Sequence, residues 1–193
     1  MARLGEVFYQ GKDVVGISRA LLGKYLMTQV NGIITGGSII ETEAYAGESD
    51  MASHAFGGRR TNRTEIMYHA GGVAYVYLCY GIHHLFNVVT NVQGTPHAVL
   101  IRAIQPEVGM DTMRSRRGMN EQSTKAIAGG PGTVSQALGI TTADSGSDLR
   151  GDRIWIEDRG VDISTNSIIA GPRIGVAYAG KDAELPYRFR LKA

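Results

Sequence analysis

The sequence predicts an α+β domain: one domain spanning residues 1–193, built on a curved, mostly antiparallel β-sheet flanked by helices, with one protruding β-hairpin. Three observations carry this. Strand-like runs and helical runs follow one another without the regular alternation of a parallel βαβ fold. Asn31-Gly32, between "YLMTQV" and "IITGGSIIETEAY", is a strong two-residue hairpin signal. No repeat, low-complexity tract or linker divides the 193 residues, a length that buries roughly 70% of the unfolded surface without staples.

The elements follow in order. Asp13 can cap a helix whose apolar residues Val14, Ile17, Leu21 and Leu22 keep helical spacing, and Gly23 is placed to end it. The two hairpin strands come next, with Gly36-Gly37 marking a bulge or bend. "VAYVYLCY", "HLFNVV" and "AVLIRAI" continue as strands, broken by Gly81 and by "QGTP". Pro106 is expected to open a helix that Gly118 closes. A glycine-rich loop, a short helix near residues 134–138, and the strands "RIWIE", "RIGVAY" and "YRFRL" complete the chain.

The single cysteine, Cys79, lies in "AYVYLCY" and reads as a buried, reduced thiol, which points to a cytosolic or nuclear compartment. No apolar run approaches the ~20 residues of a membrane span, and "MARLGEVFYQ" lacks the apolar core of a signal peptide. A soluble intracellular protein is expected, with no membrane partner. The net charge of +2 decides little, but its distribution is uneven. Between Met51 and Pro106 the sole acid is Glu65, while Arg59, Arg60, Arg63, Arg102 and all five histidines fall there. With "RSRR" at 114–117 and the tail "YRFRLK", these are positive patches that a phosphate backbone could use. The histidines His54, His69, His83, His84 and His97 show neither HxxxH nor HExxH spacing, and no cysteine pair supports them, so no metal site is expected.

Three features bear on chemistry. Strand alternation sends Glu41, Glu43 and Tyr45 to one side and Ile40, Thr42 and Ala44 to the other; a half-buried edge strand with a polar face would do the same. Tyr80 stands immediately before Gly81, at a hairpin tip, where a tyrosine cannot bury its ring in its own sheet. It is either a surface aromatic or a wedge pushed between base pairs. Arg102, alone in "AVLIRAI", is a costly cation unless a carboxylate meets it. The pair is either structural or holds a carboxylate ionised to accept a proton from water.

"ETEAY", "SHAFGGRRTNR", "AYVYLCYGIHHLFNVV", "VLIRAIQP", "GGPGTVSQALGI" and "RIGVAYAG" stand in the order, and nearly the spacing, of the alkyladenine (3-methyladenine) DNA glycosylase family. The resemblance covers almost the whole chain, from "LGEVFYQ" to "PYRFRL". It implies excision of alkylated or deaminated purines from double-stranded DNA, leaving an abasic site, with no metal or organic cofactor. It also implies roles. Glu43 resembles the general base, and Arg102 with the backbone carbonyl of Val176 resembles the holder of the attacking water. Tyr45, His54 and Tyr77 are similar to the walls that sandwich the flipped base, and Tyr80 to the residue that intercalates into the vacated stack. Asn87 corresponds to the side chain that crowds the exocyclic amine of guanine. Arg59, Arg60 and Arg63 are expected on phosphates, and Glu41 in a structural role, pairing an arginine. The expected setting is a monomer in the cytoplasm, at the nucleoid of a bacterium or in the nucleus of a eukaryote. Two positions depart from the family: Thr133 replaces an expected lysine, which removes a phosphate contact, and Lys181 stands where an acid is usual. The group that assists the departing base stays open between His54 and a nearby backbone NH. A protein that flips lesions without cutting them differs in one observation, whether the base leaves.

Overall fold

A computed structural model describes residues 2–119 and 124–192. The strands are β1 (Ala2–Arg3), β2 (Tyr25–Val30), β3 (Ile33–Tyr45), β4 (Ala74–Cys79), β5 (His83–Thr90), β6 (His97–Val108), β7 (Ile154–Asp158), β8 (Ile168–Gly171) and β9 (Arg188–Leu191). The α-helices are α1 (Glu6–Tyr9), α2 (Val14–Ala20), α3 (Met110–Arg116), α4 (Thr124–Ile127) and α5 (Pro131–Leu138). All strand pairs are antiparallel, in the order β1-β7-β2-β3-β6-β5-β4, with β9 joining β3 to β8. The long β3 organises this curled sheet. Its first half pairs with β2, its residues Glu41–Glu43 pair with β9, and its other edge runs along β6.

Strand alternation divides the sheet into a core face and a site face. Ala44, Ala74, Val76, Phe86, Val88, Val99 and Ile101 turn to the main core, which α2, α3 and α5 cover with Ile17, Met113, Val134 and Leu138. Tyr45, Tyr75, Tyr77, Leu85, Asn87, Leu100 and Arg102 turn the other way and line a cavity. The expected alternation holds for Glu41, Glu43 and Tyr45 but not for Ile40. Register shifts on both sides of Glu41 mark a bulge, so that Ile39, not Ile40, shares the core with Ala44. The Gly36-Gly37 irregularity is also present. A Cβ on Gly37 would lie 2.0 Å from the Gln105 carbonyl oxygen, so no larger residue fits there.

Two elements and the burial of one residue differ from expectation. Pro106 does not open a helix; it lies within β6, opposite Gly37, beyond the stretch of β6 that pairs with β5, where a missing N–H is tolerated. The helix begins after Gly109, whose φ of 69° turns the chain out of the strand. "RIGVAY" is not a strand: Gly175 has φ 77° and a 3-10 segment, Ala177–Glu184, follows. Its polar groups turn to side chains instead of a neighbouring strand, with the Ile174 N–H on Glu43 and the Arg173 guanidinium on Asp50. Cys79 is only partly buried and lies on the cavity wall.

Candidate active site

The cavity holds about 500 Å³, within the range of small-molecule sites. Glu43 lies just behind its wall. The carboxylate is wholly shielded from solvent and is absent from the lining, but three of its partners, Tyr45, Arg102 and Ile174, do line the cavity. Burying a carboxylate is expensive unless each oxygen is satisfied. Here Oε2 accepts from the Tyr45 hydroxyl at 2.8 Å, while Oε1 accepts from the Ile174 N–H at 2.8 Å and faces Arg102 Nη1 at 3.3 Å. Burial, then the adjacent Glu43 carboxylate, pushes the Tyr45 phenol well above its usual pKa, so it stays a donor. Arg102 meets a second acid as expected: its Nε donates to Glu41 at 2.9 Å, and Arg188 donates to the same oxygen at 2.6 Å. Glu41 is thus shared by two arginines and is turned away from any independent role as a base.

The aromatic wall comes from two segments. Tyr75 and Tyr77 project from β4 with centroids 5.4 Å apart, and His54, from the loop after β3, meets Tyr77 edge-on at 4.7 Å. His54 Nδ1 lies 2.8 Å from the Tyr75 hydroxyl, and Nε2 lies 3.3 Å from Arg63 Nη2. Because a guanidinium only donates, Nε2 is the acceptor and the proton sits on Nδ1. Burial, then Arg63 and Arg59, lowers the imidazole pKa to about 4. His54 is therefore neutral at pH 7 with both nitrogens engaged, which argues against an imidazolium acid at this position. The unfolded chain binds this proton near pH 6.5 and the folded chain only near 4, so stability falls as pH drops through that window. The loss attributable to His54 reaches at most about 3 kcal/mol. Denaturant midpoints at pH 7 and pH 4.5 should therefore differ less for His54→Asn than for wild type; an equal difference would exclude this account.

Asn87, 3% exposed, donates through Nδ2 to the Tyr75 and Leu85 carbonyls, which fixes its amide on the cavity wall. Val176 reaches the wall from the 173–176 turn, and its carbonyl accepts from the Ala179 N–H at 2.9 Å, leaving one lone-pair direction free. Tyr80 is 90% exposed at the β4–β5 turn, with φ 52°, and Ile82 beside it is 70% exposed. A non-glycine residue held at positive φ costs about 1–2 kcal/mol, a strain that recurs at functional tips.

The arginines separate. Arg60 is held by Glu65 through bonds of 2.7 and 2.6 Å, and the exposed Arg63 lies along the cavity wall, with Cζ 4.7 Å above the Tyr77 ring. Arg59 carries no side-chain bond among the described residues. The "RSRR" run is consumed by the fold. Arg114 pairs with Asp111, Arg116 donates to Thr35 and the Ala137 carbonyl, and Arg117 donates to the Ile127 carbonyl. Thr133 closes the first turn of α5, accepting from the Gly130 N–H at 2.9 Å and donating to its carbonyl at 2.7 Å.

Sequence reasoning missed one pair. Arg173, with a side chain 0% exposed, makes a two-pronged ion pair with Asp50, whose side chain is 2% exposed. It also donates to the Ala44 carbonyl at 2.8 Å and the Asp182 carbonyl at 3.0 Å, and stacks 4.9 Å from the Tyr45 ring. This ties the 173–176 turn, the 46–50 loop and the end of β3 together under Glu43. The one available signal was the arginine that opens the quoted "RIGVAY" motif.

Residues 7–193 match the sequence profile described as methylpurine-DNA glycosylase. This chain belongs to that family. Similar proteins named 3-methyladenine DNA glycosylase include one from Chlamydia felis, 45% identical, with 97% of this chain and 95% of the relative covered. Another, from Bacillus mycoides, is 46% identical over 94% of this chain and 92% of the relative. A family member with this sheet thus carries a buried carboxylate beneath an aromatic cavity. Among the described residues no three His, Cys, Asp or Glu side chains converge as a metal-ligand set, and no helix is long and apolar enough to cross a membrane.

Proposed function

We propose that this glycosylase family member flips alkylated or deaminated purines out of duplex DNA and hydrolyses the N-glycosidic bond with a water activated by Glu43. The single observation that carries this is the Glu43 carboxylate, buried beneath an aromatic cavity and bonded to Tyr45, Ile174 and Arg102. Extrusion of a nucleotide costs a few kcal/mol, and stacking on Tyr45, His54 and Tyr77 returns about 1–3 kcal/mol per base. Tyr80, already outside the sheet, fills the vacated stack. Asn87 crowds the exocyclic amine of guanine. Arg102 and the Val176 carbonyl hold the water. Its oxygen bonds the anomeric carbon, its proton passes to Glu43, and the electron pair of the breaking bond leaves with the base. The same carboxylate faces the positive charge that develops on the sugar. Arg59 contacts a phosphate, and Arg60 joins where a phosphate displaces Glu65. The protein acts as a monomer where the DNA is, at the nucleoid of a bacterial cytoplasm or in a eukaryotic nucleus.

The test is incubation with duplexes bearing one 3-methyladenine, 7-methylguanine or hypoxanthine, followed by detection of free base and of alkali-labile abasic sites. Duplexes left intact by excess protein would defeat the proposal. A separate variant probes the wedge. Tyr80→Gly should lower kcat/KM on a lesion duplex about 10- to 100-fold, the worth of one lost stacking contact. It should cost no thermal stability, because glycine relieves the positive φ. A drop in Tm with unchanged kcat/KM would show that the exposed ring serves the fold alone.

A further inference from the structure

We infer that Arg63 sets the choice among lesions: its guanidinium, on the cavity wall against Tyr77, favours excision of neutral purine lesions over purines that already carry a positive charge. This rests on the glycosylase reading above. Four observations converge on the residue. Arg63 lines the same cavity as Tyr45, Asn87 and Arg102. Its Cζ lies 4.7 Å above the Tyr77 ring, and its Nη2 lies 3.3 Å from His54 Nε2, so it is held between two side chains of the aromatic wall. Among the described residues it has no carboxylate partner, since neighbouring Glu65 is engaged by Arg60. Arg102, the other cation of the cavity, is met by both Glu41 and Glu43.

The cavity therefore has the Glu43 carboxylate just behind its wall, paired with Arg102, and the uncompensated Arg63 guanidinium against the Tyr77 part of that wall. When a neutral lesion departs, the bond between the anomeric carbon and the ring nitrogen breaks, and its electron pair moves onto the base. Negative charge grows beside Arg63 while positive charge grows on the sugar beside Glu43. Both changes are stabilised by groups already in place. An alkylated, cationic purine brings its own positive charge towards Arg63, and the same electron pair only neutralises that charge. The guanidinium then opposes entry and has little to stabilise. The 3.3 Å approach of Arg63 Nη2 to His54 Nε2 places this positive charge directly on the aromatic wall, and it adds to burial in lowering the His54 pKa.

The experiment compares kcat/KM on two duplexes that differ only in one hypoxanthine or one 7-methylguanine. In Arg63→Gln the ratio of hypoxanthine to 7-methylguanine excision should fall about tenfold, or about 1.4 kcal/mol. Arg63→Lys, which keeps the charge, should lose less. The salt dependence of lesion-duplex affinity should not change. Arg63 is exposed, so these variants should fold as wild type does. If Arg63→Gln lowers both reactions by one factor and reduces the salt slope by about one phosphate, Arg63 is a phosphate ligand and the inference is overturned. Wild type that releases only the cationic lesion also overturns it. Release of neither base by wild type removes the glycosylase reading itself, a result distinct from an active enzyme whose ratio does not move.

Discussion

Glu43→Gln should leave a lesion-bearing duplex bound but uncut, with base release falling about 10³-fold or more. A positioned general base is worth about 10²–10⁴-fold, and this carboxylate is also proposed to face the developing sugar charge. The substitution suits the site. The amide oxygen can take the place of Oε1, accepting from Ile174 and facing Arg102, while the amide nitrogen replaces Oε2 and donates to the Tyr45 hydroxyl. Packing is conserved, so equal lesion affinity with no free base in single-turnover assays is the expected pattern. Undiminished release would remove Glu43 from the chemistry. Equal binding with no release by wild type either would identify a protein that flips lesions without cutting them.

Arg173→Met should lower stability by about 3–5 kcal/mol, because it strands the Asp50 carboxylate in a site with 2% exposure. For a chain of this length that corresponds to roughly 6–20 °C in Tm. Adding Asp50→Asn should recover part of the loss, since the buried charge is then gone. A Tm change under about 2 °C for the single variant would mean that the pair contributes little. Activity should also fall at temperatures where the variant is still folded, because Arg173 holds the turn that delivers the Ile174 N–H to Glu43.

Much of the site face was legible because alternation is a local property. Glu43 and Tyr45 on β3 fall on the side that period two assigns them, and Tyr75 and Tyr77 on β4 and Arg102 on β6 obey the same rule in the structure. The need of Arg102 for a carboxylate followed from the cost of a cation in an apolar strand, and Glu41 pairs arginines as expected. What was not legible depends on distant partners. Asp50 and Arg173 are 123 residues apart, and nothing local distinguishes that arginine from an exposed one. "RIGVAY" has strand composition, but side chains on β3 and the 46–50 loop capture its polar groups. "RSRR" resembles a phosphate-binding run, yet two of its arginines are spent on carbonyls that only the folded chain brings near. Pro106 has the look of a helix start, and only the pairing of β6 shows that its missing N–H lies where no strand needs it.

The bulge around Glu41 has an evolutionary consequence. One extra residue on β3 lets Ile39 anchor the interior while Glu41 and Glu43 still emerge on the opposite side. Insertion or deletion of a single codon between positions 39 and 41 would trade hydrocarbon for charge along half the strand. The length of this short interval is therefore fixed by what each face of the strand must carry.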